Sequence, residues 1–159
     1  MLCALARNLR PALPPSAVTG KLSQEGPAPP ILLVEDSLRL REAMARLLEA
    51  KGYAVAVAVD GEDALEQLRS GLRPCLILLD LVMPRKDGLQ FRIEQMKDGR
   101  LAAIPTVACS ADGRLREKAE SLGLTFYQKP LDLGRVLEVV ARHFARACRA
   151  MPVATVARR

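Results

Sequence analysis

Five polar residues of this chain could act together, because each ends or directly follows a short run of strand-forming residues. They are Glu35, Asp36, Asp80, Ser110 and Lys129. The run before Asp80, residues 76–79, is wholly apolar and lies between Pro74 and turn residues, which predicts a strand buried on both faces. The carboxyl ends of parallel strands meet at one edge of a sheet, where such sheets bind their ligands. We therefore expect the five side chains to converge.

The three carboxylates of this group predict a metal site. Glu35, Asp36 and Asp80 cannot crowd together without neutralisation, since like charges raise one another's pKa. A hard divalent cation with oxygen ligands resolves the conflict. Mg²⁺ suits an open site, because it keeps several waters and takes a carboxylate or two together with a phosphoryl group.

Phosphoryl transfer is the chemistry that this group of residues favours. The carboxylate of Asp80 could attack phosphorus and carry an aspartyl-phosphate. The Lys129 ammonium would help to neutralise the charge of an in-line transfer. The Ser110 hydroxyl could donate a hydrogen bond to a phosphoryl oxygen, and so move when that oxygen arrives.

An alternation of strands and helices positions these residues. Apolar and β-branched runs predict strands over residues 31–34, 54–59, 76–79, 106–109 and 126–128, with a helix after each. The third helix is expected to bury Leu89, Ile93 and Met96. Five strands alternating with five helices predict an α/β fold, a doubly wound parallel sheet covered on both faces.

Composition predicts one domain with a tail at each end. Residues 1–30 are Pro-rich and expected to be disordered, 31–145 form the domain, and 146–159 form a basic tail. The net charge of +6 lies in the tails, because residues 31–144 hold equal numbers of basic and acidic side chains. No apolar stretch is long enough to span a membrane.

Cysteine and histidine usage argues against a zinc site. The four cysteines form no CxxC pair and the chain has a single histidine. Free thiols in a reducing, cytoplasmic compartment fit this pattern, with Cys75 and Cys109 as small core residues.

Residues 31–144 resemble the receiver domain of two-component response regulators. The motifs that carry the resemblance are Leu33-Val34-Glu35-Asp36, Leu79-Asp80 with Met83-Pro84 and Asp87-Gly88, Cys109-Ser110-Ala111, and Lys129-Pro130. The resemblance implies a flavodoxin-like sheet of strand order 2-1-3-4-5. It also implies that Asp80 is the phosphoacceptor, with Glu35, Asp36 and the backbone carbonyl of Val82 as further Mg²⁺ ligands.

The remaining implied roles concern the response to phosphorylation. Ser110 would be the switch hydroxyl and Lys129 the invariant lysine of the family, followed by a cis peptide bond to Pro130. The segment before Lys129 is one residue shorter than the usual spacing, which puts Phe126 at the switch-aromatic position. Phe126 could instead be a strand residue packed under the last helix.

The function expected from the resemblance is a stand-alone receiver without enzymatic turnover. It would take a phosphoryl group from a histidine kinase or a histidine phosphotransfer protein, and then bind an unnamed downstream protein or pass the group onward. The face between the fourth and last helices would change. Without an output domain, no direct DNA binding is expected, nor any membrane partner, and a weak homodimer is left open.

Two other functions compete with this one. A phosphatase of the haloacid dehalogenase type would need a second Asp two residues after Asp80, where Val82 stands. A receiver-like scaffold that is never phosphorylated would not need the complete set of site residues. Because Val82 cannot orient an attacking water by hydrogen bonding, we expect the phosphorylated state to hydrolyse over minutes or longer.

Overall fold

Five parallel strands form the centre of the fold, in the order β2-β1-β3-β4-β5. The computed structural model describes residues 28–150 of the chain. The strands are β1 Ile31–Val34, β2 Val55–Ala58, β3 Leu76–Asp80, β4 Thr106–Ser110 and β5 Thr125–Gln128. This strand order is that of a flavodoxin-like sheet, so the expected fold class is confirmed.

Six α-helices, rather than the five expected, connect and follow the strands in the part of the chain that the structure describes. They are α1 Leu38–Ala50, α2 Gly61–Arg69, α3 Gly88–Lys97, α4 Gly99–Ala102, α5 Arg116–Ser121 and α6 Leu133–Ala150. The additional helix, α4, is a single turn whose N-cap is Asp98. A 3₁₀ turn, Gly113–Leu115, precedes α5.

The ends of the domain differ in part from the expected boundaries. Helix α6 continues to Ala150, so residues 146–150, expected to belong to the basic tail, are helical. Residues 1–27 and 151–159, which make up most of the expected extension and tail, lie outside the described residues. None of the helices within residues 28–150 has the length and hydropathy needed to cross a membrane.

The two faces of the sheet carry separate apolar layers. Side chains alternate between faces along a strand, so Ile31 and Leu33 pack with α1 and α6, whereas Leu32 and Val34 pack with α2–α5. The sheet is therefore buried on both sides, and its carboxyl edge is the place where polar side chains emerge.

Of the three residues predicted to be buried on helix α3, only Leu89 is buried. Ile93 and Met96 are 45% and 47% exposed, whereas Phe91 and Gln95 are fully buried. The Gln95 amide donates to the carbonyl of Leu101 at 2.9 Å and also bonds the Thr106 hydroxyl. Because this amide satisfies buried backbone groups between α3 and β4, a polar residue occupies the inward face.

The predicted role of two cysteines is confirmed. Cys75 and Cys109 are buried and carry free thiols. Burial raises the pKa of the Cys75 thiol to about 11 and that of Cys109 to about 12, so both thiols stay protonated at neutral pH.

Gly88 provides a test of how tightly the chain after β3 is docked. A Cβ at this position would lie 2.4 Å from the Asp80 carbonyl oxygen and 2.8 Å from the Leu81 Cα. We expect Gly88→Ala to lower the free energy of unfolding by about 3 kcal/mol, because backbone atoms must move. Urea denaturation followed by circular dichroism measures this change.

Gly99→Ala is the matched control, since Gly99 also begins a helix but a Cβ added there would meet no atom within 4 Å. This substitution should leave stability unchanged or raise it by up to about 1 kcal/mol, through helix propensity. Equal effects of the two substitutions would contradict the close docking of Gly88.

Candidate phosphoacceptor site

The acidic residues of the site lie at the ends of two adjacent strands. Glu35 and Asp36 follow β1, and Asp80 ends β3, which pairs with β1 in parallel so that Val34 faces Leu79. One carboxylate oxygen from each acid lies within 4.8 Å of the others. Glu35 and Asp80 are buried, whereas Asp36 is exposed. The predicted convergence of the three acids is thus what the structure shows.

Lys129 follows β5, the strand at one edge of the sheet, and its side chain reaches the acids. Its Nζ donates to Oδ2 of Asp80 at 2.6 Å and to Oε2 of Glu35 at 2.8 Å. Its backbone N–H donates to the Ser110 carbonyl at 2.8 Å, which joins the ends of β4 and β5. The Lys129–Pro130 peptide bond is cis, as the resemblance implied.

The pKa values of Glu35 and Lys129 are shifted by burial and by the hydrogen bonds between them and Asp80. Burial raises the pKa of Glu35; the hydrogen bond from Lys129 opposes this effect and the charge of Asp80 adds to it. Burial also disfavours the charged form of Lys129, but hydrogen bonds to Asp80 and Glu35 outweigh it and raise the Lys129 pKa. The lysine is therefore held as an ammonium ion.

The donor set fits a hard divalent cation. Among residues 28–150, three carboxylates face a single ammonium group, and the remaining negative charge can be neutralised by a cation that prefers oxygen ligands. Oδ1 of Asp80 accepts from the Val82 N–H at 2.9 Å, which fixes the carboxylate at the start of the following loop. Glu35, Asp36 and Asp80 are the residues that would hold the ion.

Two basic residues, Arg85 and Lys86, hold the loop between β3 and α3 by ion pairs that the sequence did not suggest. Arg85, whose φ of 66° is unusual for a residue with a side chain, pairs with the buried Asp60. Lys86 bridges Glu62 at 2.7 Å and Glu94. The sequence indicates Asp60 only as the residue before a helix. Its role as the N-cap of α2 accounts for a carboxylate at this position without any ion pair to Arg85.

Ser110 lies where the sequence placed it. It is fully buried at the end of β4, on the strand next to that of Asp80. Its hydroxyl oxygen accepts from the Asp112 N–H at 3.1 Å.

Phe126 is buried, and it packs under α5 rather than under the last helix. It is 5% exposed and lies in the apolar layer that contains Ala119 of α5. The Arg116 guanidinium covers the ring at 4.6 Å from its centroid, a cation–π contact. Tyr127 points to the other face, where it packs in the layer of α6.

Comparison with known proteins agrees with the geometry. The family model of the response regulator receiver domain matches residues 31–141. This chain belongs to that family, the receiver domains of response regulators in two-component signalling. Two curated relatives and one solved structure show how similar the chain is to known response regulators.

The transcriptional regulatory protein DltR of Streptococcus agalactiae is 33% identical over 110 residues, which cover 67% of this chain and 48% of DltR. The response regulator MprA of Mycobacterium ulcerans is 47% identical over 110 residues, 67% of this chain and 46% of MprA. The chain thus spans about half the length of these curated relatives. The response regulator TrrA of Thermotoga maritima, solved in complex with Mg²⁺-BeF, is 27% identical, with a TM-score of 0.65, over 72% of this chain and 98% of TrrA.

Removal of the Lys129 charge should reveal the repulsion among the acids. In metal-free buffer, Lys129→Met should lower the free energy of unfolding by about 2 kcal/mol, a value reduced for the partial exposure of the site. Mg²⁺ should restore more stability to this variant than to the wild type, because it replaces the lost positive charge. Urea denaturation with and without MgCl₂ measures both effects.

Lys97→Met is the matched control, since Lys97 is an exposed lysine of α3 that lines a surface groove away from the acids. It should change neither stability nor the response to Mg²⁺. A Lys129→Met protein as stable as the wild type in metal-free buffer would contradict the electrostatic role of Lys129.

Proposed function

We propose that this chain accepts a phosphoryl group on Asp80 from a histidine kinase or a histidine phosphotransfer protein, in a Mg²⁺-dependent reaction. The observation that carries the proposal is the placement of Asp80. Its carboxylate lies within 4.8 Å of two other acids and is hydrogen-bonded to Lys129 at 2.6 Å. A carboxylate so placed has the partners that phosphoryl transfer requires.

In the proposed reaction a carboxylate oxygen of Asp80 attacks phosphorus in line with the leaving nitrogen of a phosphohistidine. The P–N bond breaks as the P–O bond forms, and the imidazole leaves with the electron pair of the broken bond. Lys129 neutralises charge on the acceptor side, since it already bonds Oδ2 of Asp80. A bound Mg²⁺, held by Glu35, Asp36, Asp80 and the Val82 carbonyl, would supply electrostatic stabilisation of the transferred group.

The complex of the relative TrrA with Mg²⁺-BeF supports the choice of metal, because the two chains share the fold. In this proposal the phosphoryl group is accepted by Asp80, its charge is balanced by Lys129, and it is sensed by the Ser110 hydroxyl. Phe126 would then respond to the movement of Ser110. The altered surface would be the α5–β5–α6 face, where a groove of about 360 Å³ is lined by residues that include Arg116, Tyr127 and Arg135.

We propose two possible outputs. Either the altered face binds a downstream protein, or Asp80 passes the phosphoryl group onward to another histidine. The aligned region covers only about half of the curated relatives, so it does not establish what a full-length protein does after phosphorylation. Signalling through a downstream partner is therefore proposed. Residues 31–145 are proposed to bind no DNA directly and to act from the cytoplasm, with no turnover beyond autophosphorylation from a donor and slow self-hydrolysis.

Labelling with a small phosphodonor tests the acceptor. The wild type incubated with Mg²⁺ and acetyl phosphate should gain one phosphoryl group that is labile to base, as expected for an acyl phosphate. Asp80→Asn should abolish the gain, because the amide cannot act as the nucleophile. Intact-mass spectrometry and base treatment provide the measurement.

Asp98→Asn serves as the control, since Asp98 caps α4 and Asn is an equally good N-cap. It should label as the wild type does. Equal labelling of Asp80→Asn and the wild type would show that the acceptor is another residue, and steady turnover of phosphate esters would favour a phosphatase instead.

The lifetime of the phosphorylated state should be minutes or longer. Val82, whose side chain is 57% exposed beside Asp80, has no polar group to orient a water. We expect Asp112 to flank the path of the attacking water as well, but both of its carboxylate oxygens are bonded to Arg114 at 2.8–2.9 Å. We expect Val82→Asn to shorten the lifetime, because its amide can hydrogen-bond the attacking water.

The decay of phosphorylated protein after removal of the donor measures this lifetime. Ile93→Asn makes the same kind of change at an exposed position of α3 and should leave the decay unchanged. A wild-type lifetime of seconds would show that other groups orient the water.

A further inference from the structure

Arg41 binds the backbone of the loop that carries two of the three acids. It lies in the first turn of α1, and its Nη1 donates to the carbonyl oxygen of Glu35 at 2.6 Å and to that of Asp36 at 3.1 Å. The bonds go to main-chain oxygens, and within residues 28–150 no ion pair joins Arg41 to a carboxylate. One guanidinium nitrogen thus joins two consecutive peptide groups.

In the part of the chain that the structure describes, the other hydrogen bonds of this loop go to its ends or to the Glu35 side chain, not to the two carbonyl oxygens. The Glu35 N–H donates to the Ala58 carbonyl at 3.1 Å, which continues the pairing of β1 with β2. The Ser37 N–H reaches Oε1 of Glu35 at a long 3.3 Å. Asp36 itself is exposed. Between the strand and the helix, the orientation of the two carbonyls therefore depends mainly on Arg41.

This orientation matters because three carboxylates lie close together with one ammonium group among them. Repulsion favours rotation of the exposed Asp36 away from the other two acids. A carbonyl held in place fixes the plane of its peptide group, and with it the direction in which the neighbouring side chains leave the backbone. Arg41 so opposes the movement that repulsion favours.

We infer that Arg41 is a positioning residue for cation binding: it holds the backbone of Glu35 and Asp36 so that their carboxylates remain beside Asp80 before the ion arrives. This role rests on the proposed function; Arg41 itself bonds main-chain oxygens and not the carboxylates that would hold the ion. Groups that orient metal ligands act through this kind of preorganisation.

The charge of Arg41 has the opposite effect to its hydrogen bonds. A positive charge near a cation site repels the cation, so loss of the charge alone would strengthen Mg²⁺ binding. Loss of the hydrogen bonds frees the loop and weakens Mg²⁺ binding. The direction of the change in affinity therefore distinguishes positioning from a simple charge effect.

Isothermal titration of the full chain with MgCl₂ provides the first test. Arg41→Met, which keeps most of the aliphatic stem, should weaken Mg²⁺ binding about tenfold. Arg46→Met is the matched control: it removes the same charge from the same helix, at a side chain that is 80% exposed and, within residues 28–150, pairs only with Glu42. Its affinity should stay within about twofold of wild type, since exposed charges contribute little.

Arg41→Lys separates the two effects further, because it keeps the charge and can restore part of the hydrogen bonding. Its affinity should lie between those of Arg41→Met and the wild type. An Arg41→Met protein that binds Mg²⁺ as tightly as the wild type or more tightly overturns the inference. So does an Arg41→Lys protein that binds more weakly than Arg41→Met.

A second readout does not depend on the metal. Amide hydrogen exchange in metal-free buffer should be faster around Glu35–Ser37 in Arg41→Met, but not in Arg46→Met, while exchange in β3 is unchanged. Unchanged exchange at the loop overturns the inference. Saturating Mg²⁺ should return the phosphorylation rate of Arg41→Met to near the wild-type value, a recovery that a misfolded protein would not show.

The two readouts distinguish failure of the inference from failure of the proposed function. If the wild type binds no Mg²⁺ and takes no phosphoryl group, the proposed function fails, and with it the metal-binding part of the inference. Hydrogen exchange still shows in that case whether Arg41 holds the loop. If the wild type binds Mg²⁺ and Arg41→Met binds it equally well, only the inference fails.

Discussion

The contact on which the site depends is the one between the Lys129 ammonium and the carboxylates of Glu35 and Asp80. It joins residues from the ends of β1, β3 and β5 with hydrogen bonds of 2.6 and 2.8 Å. Buried carboxylates are costly without a counter-charge, and one lysine cannot neutralise three acids. Lys129 therefore offsets part of the repulsion among the three carboxylates, and the negative charge that remains at the site favours binding of a cation.

The sheet makes this arrangement possible because it brings distant segments to one edge. β1 and β3 are adjacent although a helix, a strand and another helix separate them in sequence. The apolar layers on both faces hold the strands in register, so the acids are close to one another without forming their own contacts. Apolar packing thus provides the energy that offsets the repulsion among the acids.

The loops around the site are held by basic residues that take no part in the proposed chemistry. Arg41 binds the carbonyls after β1, and Arg85 pairs with Asp60 to dock the loop after β3. Both arginines connect a loop that carries site residues to a group of the surrounding fold. Precise placement of acids in a repulsive cluster requires such support, since the acids themselves favour separation.

The sequence by itself determined the fold class and the five residues of the candidate site. Each of those residues ends or follows a predicted strand, and parallel strands share one carboxyl edge. It did not determine the buried face of α3, where Gln95 replaces Ile93 inside, or the packing of Phe126 under α5. Nor did it indicate the contacts of Arg41 and Arg85. These features depend on hydrogen bonds and ion pairs between separate elements, and hydrophobic periodicity contains no information about such partners, so only the tertiary structure decided them.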